Sequence, residues 1–181
     1  MNKPLGKKEK NGGGASRISV KAYPDCGKSE RMAAVSIWNS VVEAGLAFPQ
    51  TERLTPRSAK AFFASQSFSG VAFDSQSKRI VGVYILHPNN VGRCGHICNA
   101  SYAVDERIRG RGYGEQLVCH SMQKGKALGF SILQFNAVVA TNQAALRLYE
   151  KLGFTRLGII PKGFQTKQGD YADIIPHYIA L

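Results

Sequence analysis

Residues 107–114, Arg-Ile-Arg-Gly-Arg-Gly-Tyr-Gly, restrict this chain more than any other stretch. They follow an apolar run, Ile97–Val104, that suits a strand, and they lead into residues 115–128, which suit a helix. A turn with three glycines at such a junction leaves several main-chain N–H groups bare and aimed one way. The positive end of the helix dipole backs them, and Arg107, Arg109 and Arg111 add full charges. Such a turn is a cradle for phosphate. A solvated basic turn would use the same residues, so the rest of the chain has to decide.

The flanking pattern is mixed. Ile18, Val20 and Ala22 alternate with polar neighbours as in a strand, and Pro24-Asp25 turns the chain. Ser29 reads as the cap of a helix with Ala34, Trp38, Val41 and Gly45 on one face. Thr55-Pro56 starts a second helix, with Phe62 and Phe63 on its apolar side. Residues 71–73 and 79–87 read as a hairpin, and Pro88-Asn89-Asn90 with Gly92 as the loop to the next strand. The helix after the glycine turn would bury Leu117, Val118, Ser121, Met122, Gly125 and Leu128. A strand is expected at 131–139, then Asn142 as cap of a helix over 143–152 with Gly153 as its stop, and strands at 154–160 and 171–181. The order β-α-α-β-β-β-α-β-α-β-β predicts an α/β (α+β) fold, a mixed sheet with helices on its faces, and shows no internal repeat.

A length of 181 residues suits one domain with a tail. Residues 1–16, with Lys3, Lys7, Lys8, Lys10 and Gly12-Gly13-Gly14, read as a flexible basic tail, and 17–181 as the folded domain. The tail lacks the apolar segment of a secretory signal, and no apolar run approaches the roughly 18 residues that cross a bilayer, so no membrane partner is expected. A net charge of +12 raises nucleic acid as a partner. Yet outside the tail only 107–111 is dense in cations, and no aromatics are interleaved there for base stacking. Nucleic acid is therefore not expected, and a polyanionic small molecule accounts for the cluster. Cys94, His96 and Cys98 hint at metal, but no second close pair completes four ligands, so no metal is expected. Four irregularly spaced cysteines suit reduced thiols and a cytoplasmic location.

The glycines fall at 110, 112 and 114, which does not match the dinucleotide pattern, and a P-loop lysine is missing. The pattern Arg109-x-x-Gly112-x-Gly114, preceded by Tyr102-Ala103-Val104 and followed by Asn142 and residues 149–154, Tyr-Glu-Lys-Leu-Gly-Phe, resembles the acetyl-CoA signature of the GCN5-related N-acetyltransferase (GNAT) family. Within that family, residues 84–100, Phe135-Asn136, 139–144 and 152–158 resemble the fungal proline-analogue N-acetyltransferases, which acetylate the ring nitrogen of azetidine-2-carboxylate and related imino acids. The chain departs from them after Pro161 and lacks their longer N-terminal half.

The resemblance implies a mostly antiparallel sheet of six to seven strands with about four helices, and acetyl-CoA as co-substrate. It places the diphosphate on the main chain of Arg109, Gly110, Arg111, Gly112, Tyr113 and Gly114. The pantetheine arm would pair with Tyr102, Ala103 and Val104 like an added strand, with Asn142 as a further contact. It makes Tyr149 the general acid that protonates the departing thiolate. An unperturbed phenol, with a pKa near 10, keeps its proton for that task at neutral pH. Asn99 and Asn136 are expected inside apolar strands, where an unpaired amide costs about 1–3 kcal/mol, and the resemblance puts both at the acceptor site. Among Asp105, Glu106, His96 and Cys98 no general base stands out. The implied reaction is acetyl transfer to the amine of a small amino or imino acid. Alternatives are a protein N-terminal or lysine acetyltransferase, a nucleic-acid-binding module and a non-catalytic CoA-binding protein. Family members often dimerise, so a homodimer is compatible with the resemblance.

Overall fold

The alternation of Ile18, Val20 and Ala22 becomes β1 (Ile18–Ala22), an edge strand, in the computed structural model, which describes residues 17–181. The expected tail, 1–16, lies outside the described residues. Next come α1 (Lys28–Ala44), α2 (Pro56–Ala64), β2 (Phe68–Asp74), β3 (Ile80–Pro88) and β4 (Ile97–Val104). They are followed by α3 (Tyr113–Ala127), β5 (Ile132–Phe135) and α4 (Gln143–Lys151). The last elements are β6 (Thr155–Arg156), β7 (Ile160–Gln165), β8 (Tyr171–Ile174) and β9 (His177–Ala180). Seven strands form one sheet in the order β1-β2-β3-β4-β5-β9-β6, and β7 and β8 form a separate hairpin. Among the described strands only β4 and β5 run parallel. The architecture agrees with the expected fold class.

Side-chain alternation divides the core between the two faces of the sheet. Val83, Ile85 and Ala103 face α1 and α2, where Trp38 and Phe63 pack edge to face with centroids 5.6 Å apart. Tyr84, Leu86 and Cys98 face α3 and α4, against Leu117, Val118 and Leu146. Gly82 explains how closely α3 sits. A Cβ there would lie 2.7 Å from Leu117 Cδ1 and 2.8 Å from the Ala103 carbonyl oxygen.

Several boundaries differ from the expected ones. The cap of α1 is Gly27, whose N–H donates to Glu30 Oε2 at 2.7 Å, and Ser29 falls inside the first turn. Leu128, expected on the buried side of α3, is 43% exposed because the helix has ended. The strand expected at 131–139 stops at Phe135, and Val139 makes only a single bridge, to Ile174. The stretch expected at 171–181 is split by Ile175-Pro176, where proline has no N–H for a ladder. Among the described residues, no helix is long and apolar enough to cross a membrane.

Candidate active site

Pairing between β4 and β5 is confined to Ile97↔Ile132 and Cys98↔Leu133, and beyond these pairs the strands part. The other edge of β4 shows which of its groups are left over. Asn89 N–H donates to the Ile97 carbonyl at 2.8 Å, Asp105 N–H donates to the Val81 carbonyl at 3.0 Å, and Pro88, without an N–H, lies opposite Cys98. In an antiparallel ladder this makes Asn99, Ser101 and Ala103 the residues that bond to β3. The N–H and C=O groups of Ala100, Tyr102 and Val104 therefore point into the gap beside β5. Of the three residues expected to pair with a pantetheine arm, Tyr102 and Val104 present free main chain. Ala103 is corrected, because its main chain is spent on Val83.

Beyond its two pairs with β5, β4 runs on to the glycine turn. Gly110 and Gly112 have φ of +80° and +77°, and open space surrounds the position a Cβ would take at either. Gly112 caps α3 without a side-chain oxygen, and the first N–H that bonds back is that of Gln116, to the Gly112 carbonyl at 3.3 Å. No N–H from 110 to 115 has a hydrogen-bond partner among the described residues. The helix dipole adds partial positive charge at the same place. Arg109 and Arg111 are exposed and make no ion pair among the described residues. Arg107 is different: its Nε and Nη2 donate to both oxygens of Asp105, at 2.9 and 2.7 Å, so its charge is already matched. The Tyr113 side chain turns inward, away from the turn, and donates to Asp74 Oδ2 at 2.9 Å. Only its main chain belongs to the cradle.

Across the gap, α4 begins at Asn142, whose Oδ1 accepts from Ala145 N–H at 3.2 Å. The cap uses its oxygen, and its Nδ2 has no partner among the described residues. Farther along α4, the Tyr149 ring lies 4.5 Å from Phe135, 5.4 Å from Phe154 and 5.8 Å from His177, centroid to centroid. Its hydroxyl has no hydrogen-bond partner among the described residues. Burial pushes its pKa well up, so the phenol holds its proton at neutral pH. Tyr102 bounds the same space, with its hydroxyl 2.6 Å from Ser121 Oγ and its ring 5.9 Å from Phe135. The result is a turn of N–H groups without partners among the described residues, free main chain along one wall, and a phenol that keeps its proton on the other.

The family model described as Acetyltransferase (GNAT) family matches residues 37–154. The chain belongs to the GNAT acetyltransferase family. It is an acetyl-CoA-dependent N-acetyltransferase. N-acetyltransferase aca1 of Schizosaccharomyces pombe is 32% identical over 149 residues, which span 74% of this chain and 71% of that protein. A GCN5-related N-acetyltransferase from Kribbella flavida superposes with a TM-score of 0.79 at 27% identity, covering 91% of this chain and 98% of that one. A GNAT superfamily phosphinothricin acetyltransferase from Sinorhizobium meliloti, solved with AcCoA, shares the fold with a TM-score of 0.79 at 16% identity, over 92% of this chain and 89% of its own.

On the GNAT sheet, Asn99 lies opposite His87 and by alternation projects to the α1–α2 face. Its carboxamide has no partner among the described residues. Asn136 was expected within a strand, but β5 ends one residue before it and its side chain is exposed. Asn136 Nδ2 donates to Asn89 Oδ1 at 2.6 Å, and Asn136 Oδ1 accepts from Asn89 Nδ2 at 3.2 Å and Gln134 Nε2 at 2.9 Å. Asn99 and Asn136 therefore do not bond to each other. Asn136 ties the loop after β3 to the end of β5, and Asn89 and Gln134 were not singled out from sequence. Asn89 stands in a turn-like Asn-Asn pair, which gives no sign of a partner 47 positions away.

Two of the four groups weighed as bases are otherwise engaged. Asp105 is held below the usual carboxylate range by its bonds to Arg107. Burial pushes the Cys98 thiol up to about 11, and Cys98 Sγ donates to the Ile132 carbonyl at 3.3 Å. His96 and Glu106 are exposed. His177, which drew no attention in the sequence, is fully buried, and its Nε2 has no partner among the described residues. Among those residues no group of three or more His, Cys, Asp or Glu is arranged to hold a metal.

Proposed function

We propose that this chain transfers the acetyl group of acetyl-CoA directly to the amine of a small amino or imino acid, in the cytoplasm. The diphosphate would rest on the main chain of residues 109–114, with Arg109 and Arg111 supplying charge. Tyr102 and Val104 would offer their free N–H and C=O groups to the pantetheine arm. A main-chain N–H on that wall would also polarise the reacting carbonyl, as an oxyanion site built without side chains. Tyr149 would give its proton to the leaving sulfur, and the unpartnered hydroxyl is what fits it for this. The amine must arrive neutral, either by losing its proton to solvent or to a side chain outside Asp105 and Cys98.

The observation that carries the small acceptor is the set of carboxamides on the α1–α2 face. Asn89, Asn99, Gln134 and Asn136 offer neutral donors and acceptors suited to a carboxylate and an amine on one small molecule. The β7–β8 arm supports the same reading. Lys167 Nζ, from that arm, donates to the Glu43 carbonyl at the end of α1 at 3.2 Å, which narrows the approach from this side. A net charge of +12 also disfavours lysine-rich protein targets. The resemblance to proline-analogue N-acetyltransferases points the same way.

The test is CoA release from acetyl-CoA with proline analogues, amino acids, polyamines and short peptides as acceptors. Turnover with the small amino and imino acids, and a raised acceptor KM in Asn136→Ala at unchanged acetyl-CoA KM, is expected. Release confined to peptides would transfer the activity to protein targets. Release indifferent to every amine would remove the transferase reading.

A further inference from the structure

We propose that a cavity between α1 and α2, remote from the acetyl-CoA site, binds a small carboxylate carrying an apolar body. The cavity measures about 680 Å³, within the usual range for small-molecule sites. Lys28, Arg31, Arg53 and Lys60 line it, and no acidic residue does. Arg53 is paired with Glu43 at 2.8 Å, whereas Lys28, Arg31 and Lys60 have no ion-pair partner among the described residues. Three unmatched cations around one concavity repel each other, and the low-dielectric walls concentrate their field. An anion seated among them relieves that repulsion.

The walls give the rest of the ligand its character. Met32, 58% exposed, Val35 and Leu54 present apolar surface to the cavity. Tyr23 stacks on Phe63 at 4.4 Å, and its hydroxyl has no hydrogen-bond partner among the described residues. The Arg31 charge opposes the upward push of burial on that phenol, so the guanidinium acts on this side of the cavity. The wall is also fixed. Asn39, itself buried, donates to the Leu54 carbonyl at 2.9 Å and accepts from Leu54 N–H at 2.8 Å, which pins the α1–α2 connection against α1. Both carboxamide atoms are thereby committed, and the polar groups left on the lining are the Tyr23 phenol, the Ser36 hydroxyl and the unpaired cations. A ligand with one carboxylate and an aliphatic or aromatic skeleton answers each of these features.

The place is separate from the acetyl-CoA gap and the glycine turn. Tyr23 follows the edge strand β1, and β2 and β3 stand between β1 and β4. The helices α1 and α2 cover one face of the sheet, and the glycine turn leads into α3 on the other. Acetyl-CoA and this ligand should bind together.

Calorimetric titration of octanoate into the full chain saturated with CoA tests the proposal. Saturable binding is expected, with at least about tenfold weaker affinity for 1-octanol and about tenfold weakening in Arg31→Glu and in Lys60→Glu. Lys126→Glu, on exposed α3 surface, should bind as the parent does. Absence of saturable binding overturns the proposal. So does equal affinity for octanol, indifference to both charge reversals, or displacement by CoA. The octanol comparison needs no variant and stands even if a charge reversal disturbs folding.

Discussion

Tyr113 Oη donates a 2.9 Å hydrogen bond to Asp74 Oδ2, joining the first residue of α3, the helix after the glycine turn, to the end of β2 across 39 positions. Asp74 also accepts from Ser77 N–H at 2.7 Å and Ser77 Oγ at 2.8 Å, so one carboxylate closes the β2–β3 turn and anchors α3. Tyr113→Phe should cost about 1–2 kcal/mol of stability. It should also raise the acetyl-CoA KM while leaving the acceptor KM in place. Denaturant unfolding and two-substrate kinetics read the two effects. These bonds, led by that from Ser77 N–H, lower the Asp74 pKa to about 2. Its contribution is thus complete above the unfolded value near 4 and is lost as pH falls toward 2.

Gly112 holds φ at +77° with nothing near the position of a Cβ, so substitution there acts through backbone strain and not through a clash. Gly112→Ala costs about 1–2 kcal/mol if that conformation is kept. If the turn relaxes instead, the N–H groups lose their common direction. Either way the acetyl-CoA KM should rise by about tenfold with the acceptor KM unchanged, whereas Arg111→Ala should mainly flatten the salt dependence of that KM. Initial rates at several ionic strengths distinguish the two variants.

Tyr149→Phe removes a hydroxyl that bonds to nothing among the described residues, so unfolding should be nearly unaffected. Its loss as an acid should lower kcat by about 10²-fold or more. The acetyl-CoA KM should stay within about twofold. Single-turnover measurements, which isolate the chemical step, provide the check. An unchanged chemical rate would remove Tyr149 from the reaction.

His177 is buried and places Nδ1 2.7 Å from the Ile175 carbonyl, so the ring proton belongs on Nδ1 and Nε2 carries a lone pair. Burial, then the charge of Arg156, lowers its pKa, opposed by the bond to Ile175. A histidine kept neutral by folding takes up its proton more readily when unfolded. Stability should therefore fall as pH drops below the unfolded value of about 6.5. Thermal unfolding at pH 7.5 and 5.5 should show a larger loss in the parent than in His177→Gln.

The elements that rest on local periodicity were legible in the sequence. Thr55-Pro56 starts α2 and Asn142 caps α4 as read, and Gly153, at φ +84°, stops α4. The glycine turn could be read because its chemistry is local. What escaped depends on long-range pairing. Apolar alternation in Ile97–Val104 says nothing of how far β5 follows it, so neither the parting of the strands nor the different orientation of Ala103 was visible. Asn136 was placed inside a strand because Val138 and Val139 continue the apolar pattern, although the ladder ends at Phe135. Ser29 lost its capping role to Gly27 because the Glu30 carboxylate reaches back to Gly27 N–H.

With only two residue pairs joining β4 to β5, the sheet behaves as a book with a short spine. One leaf carries β1 through β4, and the other carries β5, β9 and β6. A molecule laid between the pages would supply the missing ladder and bind the leaves together. Occupancy and rigidity would then be one event, and the enzyme should be stiffest at the moment when its reacting atoms have to be held in register.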